Sequence, residues 1–183
     1  MKQLKFLFAS LFALVIAGFT YGQAPVEVGG AMMYPTKNII QNAMNSKDHT
    51  TLVAAVKAAG LVETLEGTGP FTVFAPTNEA FAMLPEGTVS NLLKPENKAT
   101  LTAILTYHVI SGKWDSKSLA AKIMEGNGTC QLTTVQGGMI WAMMKGNKIM
   151  LKDEKGNMAT VTIKDVYQSN GVIFVIDRVL MPK

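Results

Sequence analysis

Two histidines and one cysteine are all that 183 residues offer of the side chains most used in nucleophilic and metal chemistry. A single cysteine, Cys130, excludes an intramolecular disulfide, so the fold must be held by packing alone. Within Thr129-Cys130-Gln131-Leu132 it reads as a small buried hydrophobe. His49 and His108 do not stand at metal-ligand spacing, and no Asp-rich loop is present, so the sequence carries no zinc or calcium signature. Lysines and arginines never run four in a row, which removes the phosphate-binding stripe expected of a nucleic-acid binder. No cofactor and no metal are expected.

Long apolar runs are also scarce. The one candidate, Leu7 to Phe19, is broken by Ser10 and Gly18 and falls short of the about 20 residues that span a bilayer. Lys2 and Lys5 precede it, and small or polar residues at Thr20, Gly22, Gln23 and Ala24 follow. That order is the order of a secretory signal peptide over residues 1–22. Its removal takes two of the 17 basic side chains and leaves 15 against 13 acids, a net charge of +2. The expected location is secreted or periplasmic, with no membrane span after cleavage.

What remains suffices for one domain with a substantial core. Residues 23–35 hold Pro25, Gly29 and Gly30 without periodicity and read as a flexible N-terminal arm. Pro35-Thr36 opens a helix carrying Ile39, Ile40, Ala43 and Met44, with Thr36 as its cap. Asp48, Thr50 or Thr51 caps the next, which ends at Gly60. Leu101, Ile104 and Leu105 mark a further helix that gives way to strand at Thr106–Ile110, and Ser116 caps one more helix. From Thr129 the character changes. Short strand-like runs alternate with Gly137-Gly138, Lys145-Gly146-Asn147 and Lys155-Gly156-Asn157, as in a meander of hairpins. Asn127-Gly128-Thr129 reads as a turn. Val172 to Ile176 is five apolar residues, a strand buried on both faces. A helical half followed by a β half is an α+β fold in a single domain.

The stretch Phe71-Thr72-Val73-Phe74-Ala75-Pro76-Thr77-Asn78-Glu79 has the strand–turn–helix layout of an active-site turn. As a nucleophile, however, Thr77 has no base near it in the sequence. Architecture explains each residue instead: Pro76 stops the strand, Thr77 caps the helix, and Glu79 complements the helix dipole.

Three segments together resemble the fasciclin domain family. Phe71 to Phe81 is similar to its first box, Leu105-Thr106-Tyr107-His108-Val109-Ile110 to its central Tyr-His motif, and Asn170 to Pro182 to its second box. The likeness covers about residues 36–182. It implies helices packed on a wedge-shaped β-sandwich, with Phe74, Pro76, Thr77, Asn78, Asn170, Gly171 and Asp177 as structural motif residues. It also implies a non-catalytic secreted or surface adhesion module whose partners are cell-surface or matrix proteins or polysaccharide. Tyr107 and His108 are the candidate partner-binding residues that the resemblance carries over. Their other reading is a buried hydroxyl and imidazole bonded to backbone, and strand alternation would turn one inward and one outward. Phe174 stands where the second box usually has His. A second class of function is a periplasmic small-molecule or Cu(I)-binding protein using an apolar cleft lined by Met and Trp141. The β half holds Met139, Met143, Met144, Met150 and Met158, of which Met139 and Met143 share a strand face with Trp141 while Met144 points the other way.

Overall fold

The computed structural model describes residues 23–183; the signal peptide expected over residues 1–22 lies outside them. Nine strands and seven helices are formed by the described chain. The expected loose arm instead holds a hairpin, β1 (Val26–Val28) and β2 (Ala31–Met33), turned by Gly29 and Gly30 at φ 60° and 73°. Val28 and Met33 are buried in the core, which is what fixes so short a hairpin.

The helical layer follows. α1 (Ile39–Ala43) is capped by Asn38, not Thr36: Asn38 accepts from the Gln41 N–H while the Gln41 side chain accepts from the Asn38 N–H. α2 (Thr50–Ala59) ends at Gly60 in the left-handed region, φ 72°. Its own Asp48, Thr50 and Thr51 do not cap it. The cap comes from Asn78, whose Oδ1 accepts from the Thr51 N–H at 2.9 Å while its amide nitrogen donates to the Lys47 carbonyl at 2.8 Å. α3 (Val62–Glu66) leads into β3 (Phe71–Pro76), and α4 (Asn78–Ala82) starts at once. As the sequence predicts, Thr77 is its cap, Oγ1 accepting from the Ala80 N–H at 3.2 Å. Thr77→Ala should cost about 1 kcal/mol, the usual worth of such a cap. A urea midpoint unchanged by the substitution would contradict that role.

α5 (Thr88–Leu92) and α6 (Lys98–Tyr107) complete this layer. β4 (Val109–Ser111) pairs with β3, and α7 (Ser116–Glu125) is capped by Asp115, not Ser116. The meander is β5 (Thr129–Thr133), β6 (Met139–Lys145), β7 (Lys148–Lys152), β8 (Met158–Gln168) and β9 (Gly171–Ile176). Strand order is β4-β3-β9-β8-β7-β6-β5, antiparallel except for the parallel pair β3–β9.

β8 makes the corner. Its first residues pair with β7 and its later ones with β9, with register shifts between them and Asp165 at φ 57°. The sheet folds back there, so Phe74, Val172, Phe174 and Ile176 share one apolar cluster with Leu132, Ile140, Ile149 and Leu151. Val73, Ala75, Ile173 and Val175 face the opposite way into a second cluster with the helices. β9 is therefore buried on both faces throughout, as its apolar run requires. The result is a helical layer on a β-sandwich, an α+β domain.

Candidate functional site

Tyr107 and His108 sit where α6 ends, and the helix outlasts the β-branched residues around them. Tyr107 is its last residue and His108 its C-cap. Neither is presented to solvent: Tyr107 is 0% exposed and His108 3%, which corrects the expectation of one inward and one outward side chain.

Their polar atoms are spent on backbone. The Tyr107 hydroxyl donates to the Met139 carbonyl at 2.5 Å and accepts from the Glu154 N–H at 3.1 Å. Burial pushes its pKa up to about 12, so it stays a neutral phenol. Gly138 makes the approach possible, because a Cβ there would stand 2.8 Å from the Tyr107 ring. His108 accepts from the Leu180 N–H on Nε2 at 2.9 Å, which leaves Nδ1 to donate to the Ile104 carbonyl at 2.8 Å. Desolvation holds it down at about 4, hence neutral. One residue thus closes the open end of α6 and ties the C-terminal segment to it.

The box residues are architectural in the same sense. Asn170 receives the Ile39 N–H and donates to the carbonyls of Leu65 and Gly67. Asp177 accepts from the Thr160 N–H, and Pro76 closes the parallel register opposite Ile176. Gly171 lies against Phe71, whose carbonyl oxygen a Cβ would meet at 2.1 Å. Phe174, in the place of the box histidine, is 0% exposed and sits 5.8 Å from the Phe74 ring centroid at a 45° tilt. An aromatic contact replaces whatever polar contact an imidazole would make.

A Ser–His contact that the sequence reading missed lies beneath the helices. Ser46 Oγ is 2.9 Å from His49 Nδ1, and both residues are buried. Desolvation lowers the His49 pKa, and its Nε2 has no hydrogen-bond partner, although the Ala75 backbone lies close by. Buried together, the two are closed to a substrate from solution. Next to them is an apolar cavity of about 70 Å³, lined chiefly by Ile40, Leu52, Val56, Leu65 and Val73. This enclosed apolar cavity lies among the helices and is not the expected cleft, since neither Trp141 nor any methionine of the β half lines it.

Trp141 belongs elsewhere. On the outer face of β5–β8, cross-strand rows read Gln131–Trp141–Lys152–Met158 and Thr129–Met143–Met150–Thr160. Met139, Trp141 and Met143 share this face, as alternation predicts, and all three are half-buried. Met143 and Met150 oppose each other directly, whereas Met139 stands about 13 Å along the strand from Met143. Trp141 and Met143 line an open groove of about 390 Å³ with Thr129 and the loop from Lys152 through Asp153, Glu154 and Lys155 to Gly156. The loop that walls it is fixed from below. The Asp153 carboxylate accepts from the Asn157 and Met181 N–H groups, the Glu154 carboxylate from those of Met139 and Lys183, and the Glu154 N–H ends on Tyr107. Buried Tyr107 therefore shapes the groove without lining it. Among the described residues, no group of three or more His, Cys, Asp or Glu is placed to hold a metal, and no helix is long and apolar enough to cross a membrane.

Comparison with known proteins agrees with this geometry. The fasciclin domain profile matches residues 47–182. Protein sll1483 of Synechocystis is 49% identical over 144 residues, 79% of this chain and 73% of its own length. Immunogenic protein MPB70 of Mycobacterium bovis is 36% identical over 163 residues, 86% of this chain and 74% of its own. Among solved structures, a domain pair from the insect cell adhesion molecule Fasciclin I superposes with a TM-score of 0.71 at 19% identity, over 87% of this chain and 58% of that one, a likeness of fold. With the two boxes in their structural places and the family profile spanning most of the described residues, the chain belongs to the fasciclin domain family.

Proposed function

We propose that this protein is an exported binding and adhesion module, secreted or periplasmic, which recognises cell-surface or matrix material without transforming it. The observation that supports this reading is the division of labour between buried and open side chains. The box residues, Tyr107, His108 and the Ser46–His49 pair are committed to holding the domain together. The outer face of β5–β8, by contrast, leaves Trp141 and four methionines half-buried, outside both apolar clusters and flanked by lysines. A half-exposed aromatic among flexible apolar side chains and a charged rim is a recognition surface.

The test is retention of cells or extracellular polymers on a surface coated with the domain. The parent protein should retain them. Tyr107→Phe keeps the ring but removes the bonds to Met139 and Glu154, so it should loosen the groove wall and weaken retention several-fold, at a stability cost of about 1–2 kcal/mol. Absence of retention by the folded parent would end the adhesion reading. Retention undiminished in folded Tyr107→Phe would remove the groove from it.

A further inference from the structure

The outer face of β5–β8 has a one-sided charge. Its positions are Thr129, Gln131 and Thr133 on β5; Met139, Trp141, Met143 and Lys145 on β6; Lys148, Met150 and Lys152 on β7; and Met158, Thr160 and Thr162 on β8. Three are lysines and none is an acid. At the end of the face Lys155 joins Lys152 on the groove. The groove's own acids are already engaged, Asp153 by Asn157 and Met181, Glu154 by Met139 and Lys183. Asp153 is buried, and Glu154 is the one acid left open on the groove, against Lys152 and Lys155 there and Lys145 and Lys148 along the face. A visitor therefore meets an excess of positive charge, the hydroxyl and amide groups of Thr129 and Gln131, and the indole of Trp141.

We propose that this face binds an acidic polysaccharide, specifically a polymer of uronate sugars, with one pyranose ring stacked on Trp141 and its carboxylates facing Lys152 and Lys155. The assignment deepens the adhesion reading and rests on it. Four observations select the ligand. An indole face carries the negative side of its quadrupole outward and suits the C–H bonds of a sugar ring. The row Gln131–Trp141–Lys152 places a hydrogen-bonding amide on one side of that ring and a cation on the other. The groove is open along its length, so a polymer can lie across it without being enclosed. Lastly, the lysines are sparse. Lys148 and Lys152 are about 13 Å apart along β7, a spacing that spans more than one ring and is too thin for a densely sulfated chain. Nucleic acid fits less well, since single strands are held by successive stacking aromatics and this face has one.

The binding probe is polygalacturonate, titrated into the full mature domain at low ionic strength, with dextran as a neutral polysaccharide, heparin as a sulfated one, polyglutamate as a charged non-sugar, and single-stranded DNA. Polygalacturonate should bind, weaken as salt is raised, and lose tenfold or more in affinity with Trp141→Ala and several-fold with Lys152→Gln. Both side chains lie outside the core, and thermal unfolding verifies that each variant remains folded. Dextran should not bind. Equal binding of polyglutamate, a preference for heparin or DNA, or affinity for polygalacturonate unchanged by Trp141→Ala would overturn the assignment. If the coated surface retains cells or matrix while polygalacturonate fails to bind, the ligand assignment falls and the adhesion reading stands. If neither occurs, both fall.

Discussion

Asn170→Ala is expected to lower the stability of the domain by about 3–5 kcal/mol, one of the largest effects available to a single polar substitution here. The side chain is 7% exposed and completes three bonds to segments far apart in sequence: from the Ile39 N–H at 3.0 Å, and to the carbonyls of Leu65 at 2.7 Å and Gly67 at 2.9 Å. It thereby joins the start of α1, the end of α3 and the entry to β9. Alanine would leave these groups without a partner in a place that water cannot easily enter, and each such loss costs about 1–3 kcal/mol. The backbone cannot shift to compensate, because Gly171 lies directly against Phe71 and the parallel β3–β9 pairing begins there. Urea unfolding at neutral pH measures the loss. A midpoint displaced by the equivalent of less than 1 kcal/mol at unchanged slope would show that Asn170 is dispensable.

That role explains which parts of the chain were legible from sequence. Local chemistry was read well where it acts within a few residues: Thr77 on Ala80, Gly60 in the left-handed region, the glycine turns of the meander, and the apolar run of β9. Partners that come from far away were not. Asn78 was recognised as a motif residue, but its work is to cap α2, 27 residues upstream. Asn170 likewise serves α1 and α3. The hairpin at 26–33 did carry a signal in Gly29-Gly30, but three-residue strands are too short to show alternation, and burial of Val28 and Met33 against the rest of the fold decides the matter.

The candidate site was half-legible for a similar reason. Alternation along β6 placed Met139, Trp141 and Met143 on one face without any knowledge of the fold. The same rule failed at Tyr107-His108, where tertiary packing extends α6 through residues of high strand preference and buries both rings. A contact such as Tyr107 to Glu154, 47 residues away, lies beyond any local rule. The charge asymmetry of the outer face also needs the register, since Lys145 joins Lys148 and Lys152 on one face only once β6 and β7 are paired.

The two histidines make the domain acid-labile above the range in which carboxylates usually act. His108 is held at about 4 against 6.5 in an unfolded chain, so between those values the unfolded state binds a proton that the native state refuses. Stability is therefore complete above pH 6.5 and falls as the pH drops, by about 1.4 kcal/mol per unit, to a loss of about 3 kcal/mol at pH 4. The groups that face the imidazole define the cost. Protonation places a hydrogen on Nε2, where the Leu180 N–H is already pointing, and Asp153 offers only partial electrostatic relief. His49, also lowered by burial, adds a loss of the same sign. Asp115 and Glu154 are both shifted down, so what they contribute is kept until the pH falls below their ordinary carboxylate values of 3.8 and 4.5, beneath most of the histidine window. With a typical domain stable by about 5–15 kcal/mol, such a loss moves the melting temperature by many degrees between pH 7 and pH 4.5. Thermal unfolding across that range measures it, and because the chain holds two histidines, imidazole proton resonances assign it. A native His108 titrating near 6.5, or a melting temperature flat from pH 7 to 4.5, would refute the account. His108→Leu should behave in the opposite manner: less stable at pH 7, with the Leu180 N–H and Ile104 carbonyl unpaired, yet losing less on acidification, with His49 alone left to be charged.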